Sequence, residues 1–251
     1  AGVRDATSKG RRPLLVDVGT RFGGRGSKDL VQACVEAGAY VVLYSTEAGD
    51  AARLMEYADL LGAHEVWEYA LSNVDGYTDG FKRRVPVRYM PPGYSPQLDM
   101  QIDLESSARQ LWHVGFVGKL FMRPEKIVRM YVAALGMRLY PTETVWNNET
   151  LRQYLNEVPL QLNMHKYQTC CPHDPEETAA MEAFRLAPLL SNKACVVSTP
   201  VPEKDRRLWE GIVRFAEVNE TGLTLGSMGP KEVLDCQLQA TRLYKERFDP
   251  E

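Results

Sequence analysis

Apolar residues along this chain fall in short runs, and the runs alternate between two spacings. Leu14, Leu15, Val16 and Val18 form a near-continuous, partly branched run that stops at Gly19, which predicts a strand. Leu30, Val31, Cys34 and Val35 recur three and four apart, the period of a helix face, and Gly38 marks the stop. Tyr40 to Tyr44 reads as the next strand. Strand, glycine-bearing loop, helix and strand make one βαβ unit, which calls for a parallel sheet and a right-handed crossover. The rhythm continues with a helix over 50–62, a strand at 64–67, a short helix or turn over 72–81 and a strand at 85–89.

Pro91, Pro92, Gly93 and Pro96 then break the pattern, because neither a strand nor a helix continues through them. Beyond this break the alternation restarts. Strands are expected at 114–117, 137–140, 160–164, 194–198 and 213–218, and helices over 124–135, 151–158 and 231–248. Another helix opens at Asp174, with Pro175 in its first turn and Glu177 closing a capping box, and is expected to run to Ser191. The expected architecture is α/β: two facing, Rossmann-like, doubly wound domains, with residues 1–98 in the first and 99–251 in the second, meeting around 91–105.

Composition removes several function classes. With 251 residues, 44% hydrophobic and 25% charged, the chain has ordinary globular usage. A formal net charge of -3 argues against a dedicated nucleic-acid binder, which needs a basic surface. No apolar run approaches the ~18 residues that span a bilayer. The polar, basic start (Ala1 to Arg12) lacks the apolar core of a signal peptide and an initiator Met, so the chain reads as a mature or excised segment. Five scattered cysteines, with only Cys170 and Cys171 close in sequence, point to a reducing, cytoplasmic setting. With no CxxC pair and four scattered histidines, no metal site is expected.

Four places carry candidate chemistry. The loop after the first strand holds Gly23, Gly24 and Arg25, flanked by Arg21 and Lys28. Glycines between a strand and a helix let backbone N–H groups approach an anion. The spacing matches neither GxGxxG nor GxxxxGK[ST], so a surface turn stays open as the alternative. In the second half, a strand delivers Gly118 and Lys119, with Arg123 close behind, and phosphate oxygens need such backbone access plus cationic donors. His165 follows the Leu-Gln-Leu-Asn-Met run, at the strand end where open α/β sheets bind ligands. Glu182 and Arg185 lie three apart on an expected, largely apolar helix, where they form either a surface pair or a buried pair in need of partners.

In order and spacing these pieces resemble the GT-B type of glycosyltransferase, the group 1 family in its bacterial and viral forms. The likeness rests on Gly115–Arg123, on Leu162–His165 and on Glu182–Ser198, which look like a donor domain. Gly23-Gly24, Tyr44–Glu47, Val66–Tyr69 with Asn73, and Met90–Tyr94 are similar to first-domain stretches of that family. The resemblance implies transfer of a sugar from a UDP- or GDP-sugar to a glycan or other hydroxyl acceptor, as in polysaccharide synthesis, without metal or further cofactor. It implies that Gly118, Lys119 and Arg123 lie by the diphosphate, that His165, Glu182 and Arg185 line the donor pocket, and that Glu47 serves as base. A second carboxylate one to two turns after the first is common in that family, and here Leu186 to Leu190 contains none, with Thr199 also in place of a frequent Glu. A non-catalytic binding or assembly module, and an epimerase or phosphorylase on the same fold, are therefore the alternatives. At this length the chain is short for the architecture, so a pared-down acceptor domain or one module of a longer protein is expected.

Overall fold

The computed structural model describes residues 12–19, 25–46, 51–108, 111, 113–144, 147–166 and 179–249. The chain divides into two compact units, Ala1–Pro91 and Pro92–Glu251.

The first unit carries β1 (Leu14–Gly19), α1 (Arg25–Glu36), β2 (Tyr40–Ser45), α2 (Ala51–Leu61), β3 (Glu65–Glu68), α3 (Asp79–Arg84) and β4 (Val87–Tyr89). The four strands among its described residues are parallel and follow chain order, β1-β2-β3-β4. Alternate residues of β2 and the inward faces of α1 and α2 close one apolar core around Val31, Val41, Leu43, Leu54, Ala58 and Val66. The segment expected as one short helix or turn over 72–81 is a 3₁₀ turn (Ser72–Gly76) followed by α3, which Thr78 caps through its hydroxyl to the Phe81 N–H.

The second unit carries α4 (Leu104–Ala108), β5 (His113–Val117), α5 (Glu125–Ala134), β6 (Arg138–Thr142), α6 (Asn148–Glu157), β7 (Leu160–Asn163), α7 (Ala183–Ser191), β8 (Cys195–Ser198), α8 (Glu203–Trp209), β9 (Arg214–Phe215), α9 (Thr221–Gly226) and α10 (Pro230–Phe248). The five parallel strands among its described residues run β6-β5-β7-β8-β9. Strand order reverses at β5, which pairs with β6 on one side and β7 on the other. The carboxyl ends of β5 and β7 therefore form a topological switch point, the place where open α/β sheets take ligands.

Strand β7 divides its residues by face. Leu160, Leu162 and Met164 enter the apolar core with Val114, Phe116, Val128, Val132 and Val197. Gln161, Asn163 and His165 alternate with them and are buried too. A buried polar face needs partners, and this one builds the site described below.

Four expectations change. The helix expected from Asp174 to Ser191 begins at Ala183 among the described residues, and 179–182 are not helical. Glu182 has φ -78° and ψ 63°, outside the helical region, and its side chain turns away from capping. The strand expected at 213–218 shrinks to two residues on the sheet edge, where only β8 pairs with it. The helices α4, α8 and α9 were not expected at all, because five to seven residues are too few to display a period. Cys195 and Cys236 also form a disulfide across 41 residues, joining β8 to α10, which the cysteine count did not anticipate. Among the described residues, no helix is long and apolar enough to cross a membrane.

The stretch after Pro91 is tied to the second unit. Tyr94 N–H donates to the Phe248 carbonyl at 2.8 Å, and the Tyr244 hydroxyl donates to the Pro92 carbonyl at 2.8 Å. Lys193 and Lys245 flank the Asp99 carboxylate at 2.9 and 3.6 Å.

Candidate functional site

The site grows from the ends of β5 and β7. Gly115, inside β5, faces the Gln161 amide and the Tyr154 hydroxyl so closely that a Cβ would collide with both. The chain leaves the strand at Gly118, whose φ of +129° is a conformation L side chains rarely adopt. Gly118 N–H donates to the Thr142 carbonyl at 2.8 Å, which fixes the start of the loop. Lys119 is exposed on that loop, Met122 adopts a φ of 60°, and Arg123 turns back inward.

Arg123 and Arg185 approach the ring of Phe116, their guanidinium carbons 5.0 and 4.8 Å from its centroid. Such placement over an aromatic face lowers the cost of desolvating a cation. Each arginine is anchored by the backbone or by a neutral side chain. Arg123 donates from Nε to the Lys119 carbonyl at 2.8 Å and from Nη1 to the Met164 carbonyl. Arg185 donates from Nε to the Val117 carbonyl at 2.8 Å and from Nη1 to Asn163 Oδ1 at 2.9 Å. Asn163 in turn donates to Ser198 Oγ at 3.0 Å.

Glu182 joins the two cations. Its Oε1 accepts from Arg123 Nη1 at 2.7 Å, and its Oε2 pairs with Arg185 Nη1. Burial opposes ionisation of this carboxyl, but the charges of Arg185 and Arg123 outweigh it and hold Glu182 below the usual carboxylate range. Glu182 is therefore ionised near neutral pH. Removing one member of such a buried cluster costs about 3–5 kcal/mol, since an uncompensated charge stays behind.

His165 completes the cluster from the end of β7. Its ring is fully buried, and neither ring nitrogen has a hydrogen-bond partner among the described residues. Nδ1 lies 3.9 Å from Glu182 Oε1, beyond hydrogen-bond distance. Burial, only partly offset by Glu182, pushes the imidazole down to about 4, so the ring is neutral near pH 7. Its backbone N–H donates to Thr199 Oγ1 at 3.2 Å.

The structure thus gathers Gly118, Arg123, His165, Glu182 and Arg185 at one switch point, with Lys119 on the same loop reaching into solvent. Access is graded: the side chains of Arg123, Arg185 and Glu182 are 2%, 13% and 22% exposed. Glu47, Gly23 and Gly24 lie outside the described residues, as does Arg21. Arg25 opens α1 and Lys28 belongs to the same helix. Sequence reasoning passed over Asn163 and Phe116, which orient the arginines. The polar alternation Gln161, Asn163, His165 within an otherwise apolar strand was the available signal. Among the described residues, no three His, Cys, Asp or Glu side chains converge to hold a metal ion.

No protein-family model and no curated protein matches the sequence. Solved structures do. TarM matches with a TM-score of 0.62 at 8% identity, over 94% of this chain and 52% of that one. The pneumococcal O-GlcNAc transferase GtfA, in complex with UDP and GlcNAc, matches with 0.54 at 8% identity, over 98% and 56%. A mutant of S. aureus TarM, in complex with fondaparinux, alpha-GlcNAc-glycerol and UDP, matches with 0.56 at 8% identity, over 84% and 48%. The chain spans about half the length of these structures. At such identity the likeness is one of fold, and that fold is the pair of Rossmann-like α/β units of the GT-B type.

Proposed function

We propose that this chain is the nucleotide-sugar-handling part of a glycosyltransferase that moves a sugar from a UDP- or GDP-sugar to a hydroxyl acceptor. The observation that carries the reading is the Arg123–Glu182–Arg185 cluster at the switch point of a sheet whose fold is shared with structures solved with UDP. In this reading, the second unit holds the donor and the first the acceptor. The Gly118 turn and Lys119 approach the diphosphate, Arg185 stabilises charge on the departing nucleotide, and Glu182 and His165 face the donor sugar. Preorganised cations of this kind act on leaving-group charge without reorganising during reaction. Glu47 is retained as the acceptor base on sequence grounds alone. The donor is itself the substrate, so no further cofactor is proposed.

A panel of UDP-, GDP- and ADP-sugars, assayed for nucleotide release with and without glycan acceptors, tests the reading. Release from one nucleotide class is the expected result. Silence across the panel, together with no binding of any nucleotide, overturns it. The second reading, a binding or assembly module without turnover, is favoured by the tied-up carboxylate of Glu182 and by the lack of any carboxylate from Leu186 to Leu190, where the family that the sequence resembles commonly has a second one. Nucleotide binding without release is its signature.

A further inference from the structure

The cluster contains a mismatch. Glu182 has two arginine partners, while the ring of His165, beside the same carboxylate oxygen, has no hydrogen-bond partner among the described residues. A buried polar group without a partner is costly, and here both ring nitrogens are in that position. Each arginine, by contrast, keeps two anchors when Glu182 is discounted: Lys119 and Met164 carbonyls for Arg123, the Val117 carbonyl and Asn163 for Arg185. The carboxylate can therefore part from Arg185 without the guanidinium groups losing their positions. Glu182 also sits just before α7, with a side chain that does not cap that helix, so its departure breaks no helical contact.

We propose that Glu182 is an exchangeable counter-ion: an anionic diphosphate reaching the partly exposed Arg185 displaces its carboxylate, which then accepts the Nδ1–H of His165. The shift needed is about 1 Å, from 3.9 Å to ordinary hydrogen-bond length. No covalent bond changes and no proton leaves the pair. His165 stays neutral, with its proton on Nδ1, and Arg123, almost fully buried, stays with the carboxylate throughout. Glu182 thus stands in for the ligand's charge and is received by a partner placed for it. This inference rests on the donor-site reading above and adds the anion class and the route by which it enters.

Isothermal titration with inorganic pyrophosphate and with UDP tests the exchange on the full chain. Glu182→Gln removes the internal competitor, and both probes are expected to bind about tenfold tighter. His165→Phe removes the receiving partner and is expected to weaken both probes by about three- to tenfold, an effect that disappears in the Glu182→Gln background. A merely structural role for His165 gives the same loss in both backgrounds and overturns the exchange. So does unchanged affinity in Glu182→Gln. If neither variant folds, ring ¹⁵N spectra of the wild-type chain decide: saturation with UDP must shift His165 Nδ1 into its hydrogen-bonded range, and an unmoved resonance overturns the proposal. UDP binding without exchange sinks this inference and leaves the donor-site reading standing. No binding of either probe sinks both.

Discussion

Glu182 and Arg185 stand three positions apart, yet they do not meet as a surface helix pair. Glu182 lies outside the helix, and the pair is completed by Arg123 from a loop 59 residues earlier. That geometry separates two kinds of loss. Glu182→Ala and Arg185→Ala are expected to abolish nucleotide release while far-ultraviolet circular dichroism stays folded; wild-type turnover in both would remove them from the site. His165 gives a pH dependence. Its folded value, about 4, lies below the ordinary 6.5, so the unfolded chain takes up a proton first as pH falls. The resulting stability is complete above pH 6.5 and is lost on descent toward pH 4, by about 3 kcal/mol in all. His64, which burial and Arg12 also hold low, adds in the same direction. The check is therefore the difference between wild type and His165→Phe in urea midpoints at pH 7 and pH 4.5: the wild type should lose more.

At the level of elements, β5, β7 and α7 set the site, and two of their features were readable beforehand. The run Val114 to Val117 was expected as a strand that ends in a glycine, and Gly118 does end it. The role of Gly115 was not legible, because it depends on Gln161 and Tyr154, which arrive from β7 and α6. Gly115→Ala is expected to destabilise the chain by about 1–3 kcal/mol through overpacking, read as a lower urea midpoint with unchanged slope. Strand β8 is tied to α10 by Cys195–Cys236, both buried. A cross-link closing 41 residues is worth about 4 kcal/mol by loop entropy, so Cys195→Ala with Cys236→Ala should lower the midpoint accordingly. Labelling by a thiol reagent after denaturation, with and without reductant, confirms which cysteines are paired.

For the whole molecule, the expected observable is ligand-linked stability. A nucleotide held by the second unit stabilises the folded chain by about 2.7 kcal/mol at a hundred times its dissociation constant. For a chain of this size that shift is roughly 5–10 °C in Tm. UDP or GDP should produce it in wild type and fail to in Arg185→Ala; no shift with any nucleotide removes the donor site. The net charge of -3 hid this possibility, since the cations that matter are a few residues gathered at the carboxyl ends of two interior strands.

Hydrophobic period is a local property, so the sequence by itself determined the succession of strands and longer helices, though not the short helices α4, α8 and α9, together with the parallel α/β class and the loops where chemistry was sought. Each of those follows from residues within a few positions of one another. Tertiary structure decided the rest: the reversal of strand order at β5, the meeting of Arg123 with Glu182 and Arg185 over Phe116, the His165 ring beside them with no hydrogen-bond partner among the described residues, and the Cys195–Cys236 link. These are contacts between residues tens of positions apart. Their existence depends on which strands pair and on which face of a strand is buried, and neither is encoded in any single stretch of the chain.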